Sequence, residues 1–347
     1  MNMKPAMNVL LTGASGTVGS EVLRQLAALN TVKLIVFDKK NARSSKLFAT
    51  YKNHIQIIYG DLCNDEDLKQ IPGNIDVAIH LAAVIPPLAD EKPELAYRVN
   101  VAGTKGIIRI LEENSPNAFL LYSSSISVYG DRITSPHITT NDALQPSDGD
   151  IYARTKIEAE ELIRTSKLNW SIFRLTAIMK NHKISKLMFH MPLSTNLEIC
   201  TAQDAAKAFV SAITKRDVLS KRVFNLGGGD KCRITYEKFL EKSFNLFGLG
   251  ALNFPPNTFA LRNFHCGIYL DGDLLENILH FRNETLETYF SDTKQSISFF
   301  TKMSCTLFRV FIKKGLQSQS EPLQAFKTQD KQMLNHFFLK KDYPVNA

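Results

Sequence analysis

The chain has 347 residues, a length at which about two domains or one large α/β unit are expected. Hydrophobic residues make up 44% and charged residues 22%, which excludes general disorder, collagen and coiled coil. The net charge is +8, but the residues after 300 hold eight Lys or Arg against three Asp or Glu. The body then carries only about +3, and a nucleic-acid surface is not expected.

Five cysteines (Cys63, Cys200, Cys232, Cys266 and Cys305) stand far apart with no CxxC pair, which fits a reducing, cytoplasmic setting rather than a disulfide framework. The opening residues lack an apolar core followed by a small-residue cleavage site, so no signal peptide is expected. No run of ~18 apolar residues is present, so neither is a spanning helix.

Residues 7–12 read as a buried strand that ends at glycines. Residues 17–29 follow as a helix, with Val18, Val22, Leu23, Leu26 and Ala27 on one face. Further strands are expected at 32–37, 55–59, 75–81, 118–123 and 170–175, and helices at 94–113 and 152–167. Strands alternating with helices imply right-handed crossovers and a parallel sheet. The strands are near-continuous apolar runs, as required when helices cover both faces. Later, strands are expected at 196–200 and 222–226 and helices at 203–214 and 235–247.

The expected division is a Rossmann doubly wound domain over 1–180, with 196–230 adding to the same sheet. Residues 181–195 and 231–300 would form a smaller substrate lobe, and 301–347 a basic tail. The apolar stretch 297–312, which turns basic at Lys313-Lys314, suits either a helix packed on the body or an amphipathic membrane-surface anchor.

Thr12-Gly13-Ala14-Ser15-Gly16-Thr17-Val18-Gly19 sits between the first strand and the first helix. Gly13 permits the tight turn, Gly16 lets backbone approach a pyrophosphate, and Gly19 lets helix pack on strand. Free N–H groups and the positive helix end then face the phosphates. Asp38 ends the second strand 19 residues after Gly19. A carboxylate there accepts hydrogen bonds from a ribose diol and repels a 2′-phosphate, which favours NAD over NADP, although Lys39 and Lys40 follow at once.

Tyr152 and Lys156 stand four residues apart, on one face of a helix. A free tyrosine titrates near ~10, and a nearby ammonium favours phenolate, suiting the pair to move a proton at an alcohol oxygen. Ser123-Ser124-Ser125 ends the fifth strand at the edge where such sheets bind ligands. The eight histidines show no HxxxH or HExxH spacing, so no metal site is expected, and no GxSxG elbow supports a hydrolase.

Taken in order and spacing, TGASGTVG at 12–19, Asp38, Asp61-Leu62, His80-Leu81-Ala82-Ala83, Asn100, SSSISVYG at 123–130 and YARTK at 152–156 resemble the extended short-chain dehydrogenase/reductase family, of the NAD-dependent epimerase/dehydratase kind. The resemblance covers about residues 7–230 and continues weakly to about 290.

It implies that Tyr152 is the acid/base, that Lys156 binds the nicotinamide ribose and tunes Tyr152, and that Ser125 hydrogen-bonds the reacting oxygen. Asp61 and Leu62 would border the adenine, Ala82 and Ala83 would pass close to phosphates and ribose, and Asn100 would support that wall. Arg174, Leu175 and Thr176 would lie beside nicotinamide and substrate, and His80 would be structural. A homodimer through the helices near 94–113 and 152–167 is also implied.

Two departures matter. The Asp-Glu pair that dehydratases place before VYG is Ile126-Ser127 here, so elimination by that route is not expected. The segment after Arg174 lacks the aromatic and Asn-Pro turn usual in epimerases, and no matched set of arginines for a diphosphate is evident, Arg222 and Arg233 reading as salt-bridge residues. The expected activity is redox chemistry at the secondary alcohol of a small-molecule substrate, foremost a nucleotide sugar. A steroid-like or other apolar alcohol is the alternative, and a non-catalytic NAD(P) sensor the third reading.

Overall fold

The computed structural model describes residues 6–180 and 186–339. Seven parallel strands form the main sheet. Five come first in the chain: β1 (Met7–Thr12), β2 (Val32–Asp38), β3 (Ile55–Tyr59), β4 (Val77–His80) and β5 (Phe119–Ser125). The strands Asn169–Leu175 and Arg222–Leu226 complete the sheet beyond β5, giving the order Arg222–Leu226, Asn169–Leu175, β5, β4, β1, β2, β3.

Side chains alternate between faces along each strand, so each strand feeds two cores. On one face Val9 and Leu11 meet Val22, Leu23 and Leu26 of helix α1 (Thr17–Ala27), together with Ala205 and Phe209 from the helix Ala202–Ala212. On the other, Leu10 and Ile35 meet Ile107 and Leu111 of the helix Thr104–Asn114 and Ile163 of the helix Ile151–Thr165.

Register aligns Thr12 with Phe37 on one side and His80 on the other, so the carboxyl ends of β1, β2 and β4 form one edge. Strand order reverses at β1, and the crevice outside a sheet opens at such a reversal.

Three expectations are corrected. The strand Asn196–Thr201 does not join the main sheet. It is the middle of a separate three-stranded sheet, antiparallel to Arg233–Thr235 and parallel to Ala177–Met179. An apolar strand needs burial on both faces but does not specify which sheet supplies it. The helix expected at 94–113 is interrupted: Pro93–Tyr97 is α-helical, Arg98–Gly103 forms a wider π turn that contains Asn100, and Thr104–Asn114 is α-helical again. Finally, the described residues 301–339 are not a separate tail. Leu323, Leu334 and Phe337 are buried, and Ser320 donates from Oγ to the Thr258 carbonyl at 2.6 Å.

The smaller lobe has its own aromatic core, in which Phe239 stacks on Tyr289 with ring centres 5.9 Å apart and Phe244 and Phe290 fill the flanks. The expected lobe segment 181–195 is described from Lys186 onward, and the expected tail as far as Leu339.

Candidate active site

The turn after β1 is built from glycines for measurable reasons. Gly13 has φ +70°, and a Cβ there would fall 2.6 Å from the Ala82 amide nitrogen. A Cβ on Gly19 would fall 2.0 Å from the Gly13 carbonyl oxygen, so α1 approaches the turn only without a side chain. Gly16 meets only the Gly13 carbonyl oxygen, at 3.1 Å, and donates its own N–H to that carbonyl at 3.0 Å.

Thr17 and Val18 then open α1 with no side-chain cap and no acidic residue in the first turn. The amide donors and the positive dipole end are left unneutralised, the condition under which a helix start accepts an anion.

A cavity of about 380 Å³ opens beside this turn. It gathers Gly13, Ser15, Gly16, Asp38, Asp61, Leu62, Ala82 and Ala83, all sequence-predicted cofactor residues. Asp38 accepts from the Ser15 amide at 2.7 Å and from Ser15 Oγ at 3.1 Å. Burial raises its pKa, against the lowering effect of those bonds. Lys39 does not stand free toward a 2′-phosphate: its Nζ lies 2.9 Å from Asp61 Oδ2. The backbone cradle, uncapped helix start and edge carboxylate fit a dinucleotide with an unphosphorylated ribose.

Asn100 is buried and fully engaged outside the cavity. Its Oδ1 accepts from the Val84 amide at 2.7 Å, and its Nδ2 donates to the Val84 carbonyl at 2.9 Å and to Thr155 Oγ1 at 2.9 Å. It therefore fastens the wall after Ala83 to the helix that carries Tyr152. Thr176 is likewise used internally, donating to the Glu198 carbonyl at 2.6 Å. His80 lies 2.6 Å from Thr12 Oγ1 and 3.0 Å from Thr104 Oγ1, and burial lowers its pKa to about 3, leaving a neutral strut.

The helix Ile151–Thr165 starts at Asp150, whose Oδ1 accepts from the Ala153 amide at 2.8 Å. Lys156 is buried, and its Nζ donates to the Ser123 carbonyl at 2.8 Å and to Tyr122 Oη at 3.2 Å. It lies 5.7 Å from the Tyr152 ring centre. Desolvation pushes its pKa down to about 7, partly opposed by Glu160.

Lys156 and an oxidised nicotinamide together are expected to lower the Tyr152 phenol, whereas the protein's own packing acts in the other direction. Tyr152 keeps partial exposure as a residue, but the protein packed around it makes burial the leading influence and raises its pKa. Ser125 is the opposing influence, lowering the phenol. Lys156 spends its donors on β5, at Ser123 O and Tyr122 Oη, and does not offset that burial. Tyr152 is accordingly a phenol at neutral pH, poised to donate.

Below this triad lies a polar chain that sequence reading missed. Arg174, expected beside the nicotinamide, instead grips Glu160 through two bonds of 2.9 and 2.7 Å and donates to Tyr129 Oη at 2.7 Å. Tyr129 donates to Asn225 Oδ1 at 2.8 Å, and Asn225 Nδ2 to Asp271 Oδ1 at 2.8 Å. Burial would raise Glu160, but Arg174 overrides it and holds the carboxyl below its ordinary value. Glu160 was detectable in principle, because it follows Lys156 by four residues on the same helix face. Tyr129 stands in the VYG of the 123–130 motif, but Tyr129, Asn225 and Asp271 come from three distant segments and nothing local joins them.

Residues 9–183 match the NAD dependent epimerase/dehydratase family. The chain is 33% identical over 159 residues to the Escherichia coli O157:H7 N-acetyl-alpha-D-glucosaminyl-diphospho-ditrans,octacis-undecaprenol 4-epimerase, covering 45% of this chain and 43% of that protein. It is 28% identical over 179 residues to human sterol-4-alpha-carboxylate 3-dehydrogenase, decarboxylating, covering 51% and 45%. The match thus spans less than half the length of either relative.

Among solved structures, the UDP-glucuronic acid 4-epimerase of Bacillus cereus, in complex with UDP-glucuronic acid and NAD, superposes with a TM-score of 0.67 at 19% identity. That likeness covers 83% of this chain and 99% of the other, and it extends the shared fold across the main sheet and into the smaller lobe. On its glycine turn, edge carboxylate and tyrosine–lysine helix, the chain belongs to the NAD dependent epimerase/dehydratase family.

Proposed function

We propose that this chain holds NAD along the carboxyl edge of its main sheet and catalyses redox chemistry at a secondary alcohol, most directly that of a nucleotide sugar. The observation that carries the reading is the buried Lys156, fixed to β5 one helical turn from Tyr152 with its Nζ 5.7 Å from the Tyr152 ring centre. Burying an ammonium is costly unless it is paired or hydrogen-bonded, and strongly perturbed groups concentrate at functional sites.

Gly13, Ser15, Gly16 and the Thr17–Val18 amides would hold the pyrophosphate, Asp38 the adenosine ribose, and Asp61 and Leu62 the adenine side. NAD, when bound, supplies the hydride acceptor and donor. Ser125 Oγ holds the substrate oxygen, and Tyr152 Oη exchanges its proton with that oxygen. While it holds its own proton, Lys156 would offset part of the burial cost of a Tyr152 phenolate formed when that proton passes to the substrate oxygen.

An apolar alcohol is the second reading, favoured by the engagement of the lobe arginines. Arg233 donates to Glu198 Oε2 at 2.9 Å and to the Tyr269 carbonyl at 2.8 Å, and Arg282 to the Gly227 carbonyl at 2.8 Å. Neither arginine is left over for a diphosphate in this arrangement. One relative bears the name of a sterol dehydrogenase, in keeping with that reading.

The test is turnover of a UDP-sugar and of a 3-hydroxysterol, with and without added NAD. Sugar turnover without added cofactor supports an epimerase; stoichiometric need for NAD supports a dehydrogenase. Tyr152→Phe should cut kcat by about 10²-fold or more while NAD affinity changes little. Unchanged kcat rejects the assigned proton carrier. Asp38→Ala should weaken NAD more than NADP, and equal loss of both rejects the ribose role.

A further inference from the structure

Residues 297–320 contain four cations, Lys302, Arg309, Lys313 and Lys314, and no Asp or Glu. They form two consecutive nine-residue helices, Phe299–Leu307 and Arg309–Gln317, neither of which has a buried residue. Phe299 is 75% exposed, Phe300 73%, Leu307 74% and Phe311 75%. Scattered surface apolar residues are ordinary, whereas exposed aromatics gathered on two consecutive helices, with Phe299 and Phe300 ring centres 5.9 Å apart, mark an interaction surface.

The helix pair is nevertheless seated rather than loose. Cys305, Ile312 and Leu316 pack against the aromatic core of the smaller lobe, and Lys313 Nζ donates to Asn253 Oδ1 at 2.6 Å. The inner side thus fixes the pair to the lobe, and the outer side presents the phenylalanines.

We propose that this outer face is a docking surface for an anionic phospholipid bilayer. A nine-residue helix is ~14 Å long, about half the hydrocarbon thickness, so each helix must lie in the interface rather than cross it. No helix among the described residues is long and apolar enough to cross a membrane. Exposed Lys302, Arg309 and Lys314 have no acidic partner among the described residues. Apolar aromatics entering the headgroup region, flanked by basic side chains that reach lipid phosphates, is the arrangement of an interfacial anchor. A second copy of the chain would instead bring this cationic face against itself, with no carboxylate in 297–320 to offset the repulsion.

Sedimentation of the purified full chain with vesicles tests this, using phosphatidylcholine alone or phosphatidylcholine with about one-third phosphatidylserine. The bound fraction should be at least about tenfold higher with phosphatidylserine and should fall as salt is raised. Phe300→Ser with Phe311→Ser, and separately Lys302→Glu with Arg309→Glu, should each abolish that excess. Both pairs are exposed, so thermal midpoints should stay within about 2 °C of the wild type. Absence of binding to either vesicle, equal binding to both, or binding undiminished by the paired substitutions overturns the proposal. A concentration-dependent dimer lost in the Phe300→Ser, Phe311→Ser protein, without vesicle binding, assigns the face to a second copy instead.

Discussion

Replacing Lys156 by methionine separates its electrostatic cost from its catalytic use. Burial lowers this amine from 10.5 to about 7, so between those values the unfolded chain keeps a proton that the folded chain has released. Stability of the wild type therefore rises with pH above about 7 from this residue alone and levels off near 10.5. Lys156→Met removes that dependence. Between about pH 6 and about pH 9 the folded amine passes through its titration while the free amine does not, a span of about two units at ~1.4 kcal/mol each. The wild-type-minus-variant stability should then shift by about 3 kcal/mol in favour of the wild type on going to the higher pH. Below neutrality the methionine protein should match or exceed the wild type, because the lost bonds to Ser123 O and Tyr122 Oη, worth roughly 1–3 kcal/mol, are set against a larger desolvation cost. Urea unfolding at the two pH values, without added cofactor, reads the difference directly, and titrations elsewhere in the protein cancel in it. A wild-type-minus-variant difference constant to within about 0.5 kcal/mol would refute a strongly depressed Lys156. Turnover of the variant should be lost at both pH values even where it is the more stable protein.

Two further outcomes follow from the geometry. Glu160→Ala strands the buried Arg174 guanidinium without its two carboxylate contacts and should cost about 3–5 kcal/mol in urea unfolding; a loss under ~1 kcal/mol would mean the pair is solvated. Gly13→Ala places a Cβ 2.6 Å from the Ala82 amide at a positive φ, so titration calorimetry should register loss of NAD binding, with stability falling by roughly 1–3 kcal/mol; unaltered NAD affinity would show that the turn yields without closing the cavity.

The sequence alone determined the parallel sheet, the glycine turn and the tyrosine–lysine spacing. These depend on contacts within a few residues or on a period that one segment displays: apolar runs for β1 to β5, bare backbone at Gly13 and Gly19, and one helical turn from Tyr152 to Lys156. Tertiary structure alone decided where the strand Asn196–Thr201 pairs, because apolar strands in either sheet look alike. It also decided the charge state around the triad. A helical neighbour predicts an ammonium beside a phenol, but only packing reveals that Lys156 is turned to β5, that Tyr152 is raised by burial, and that Arg174 is consumed by Glu160 and Tyr129. Desolvation depends on every atom surrounding a group, and those atoms are assembled from segments far apart in the chain.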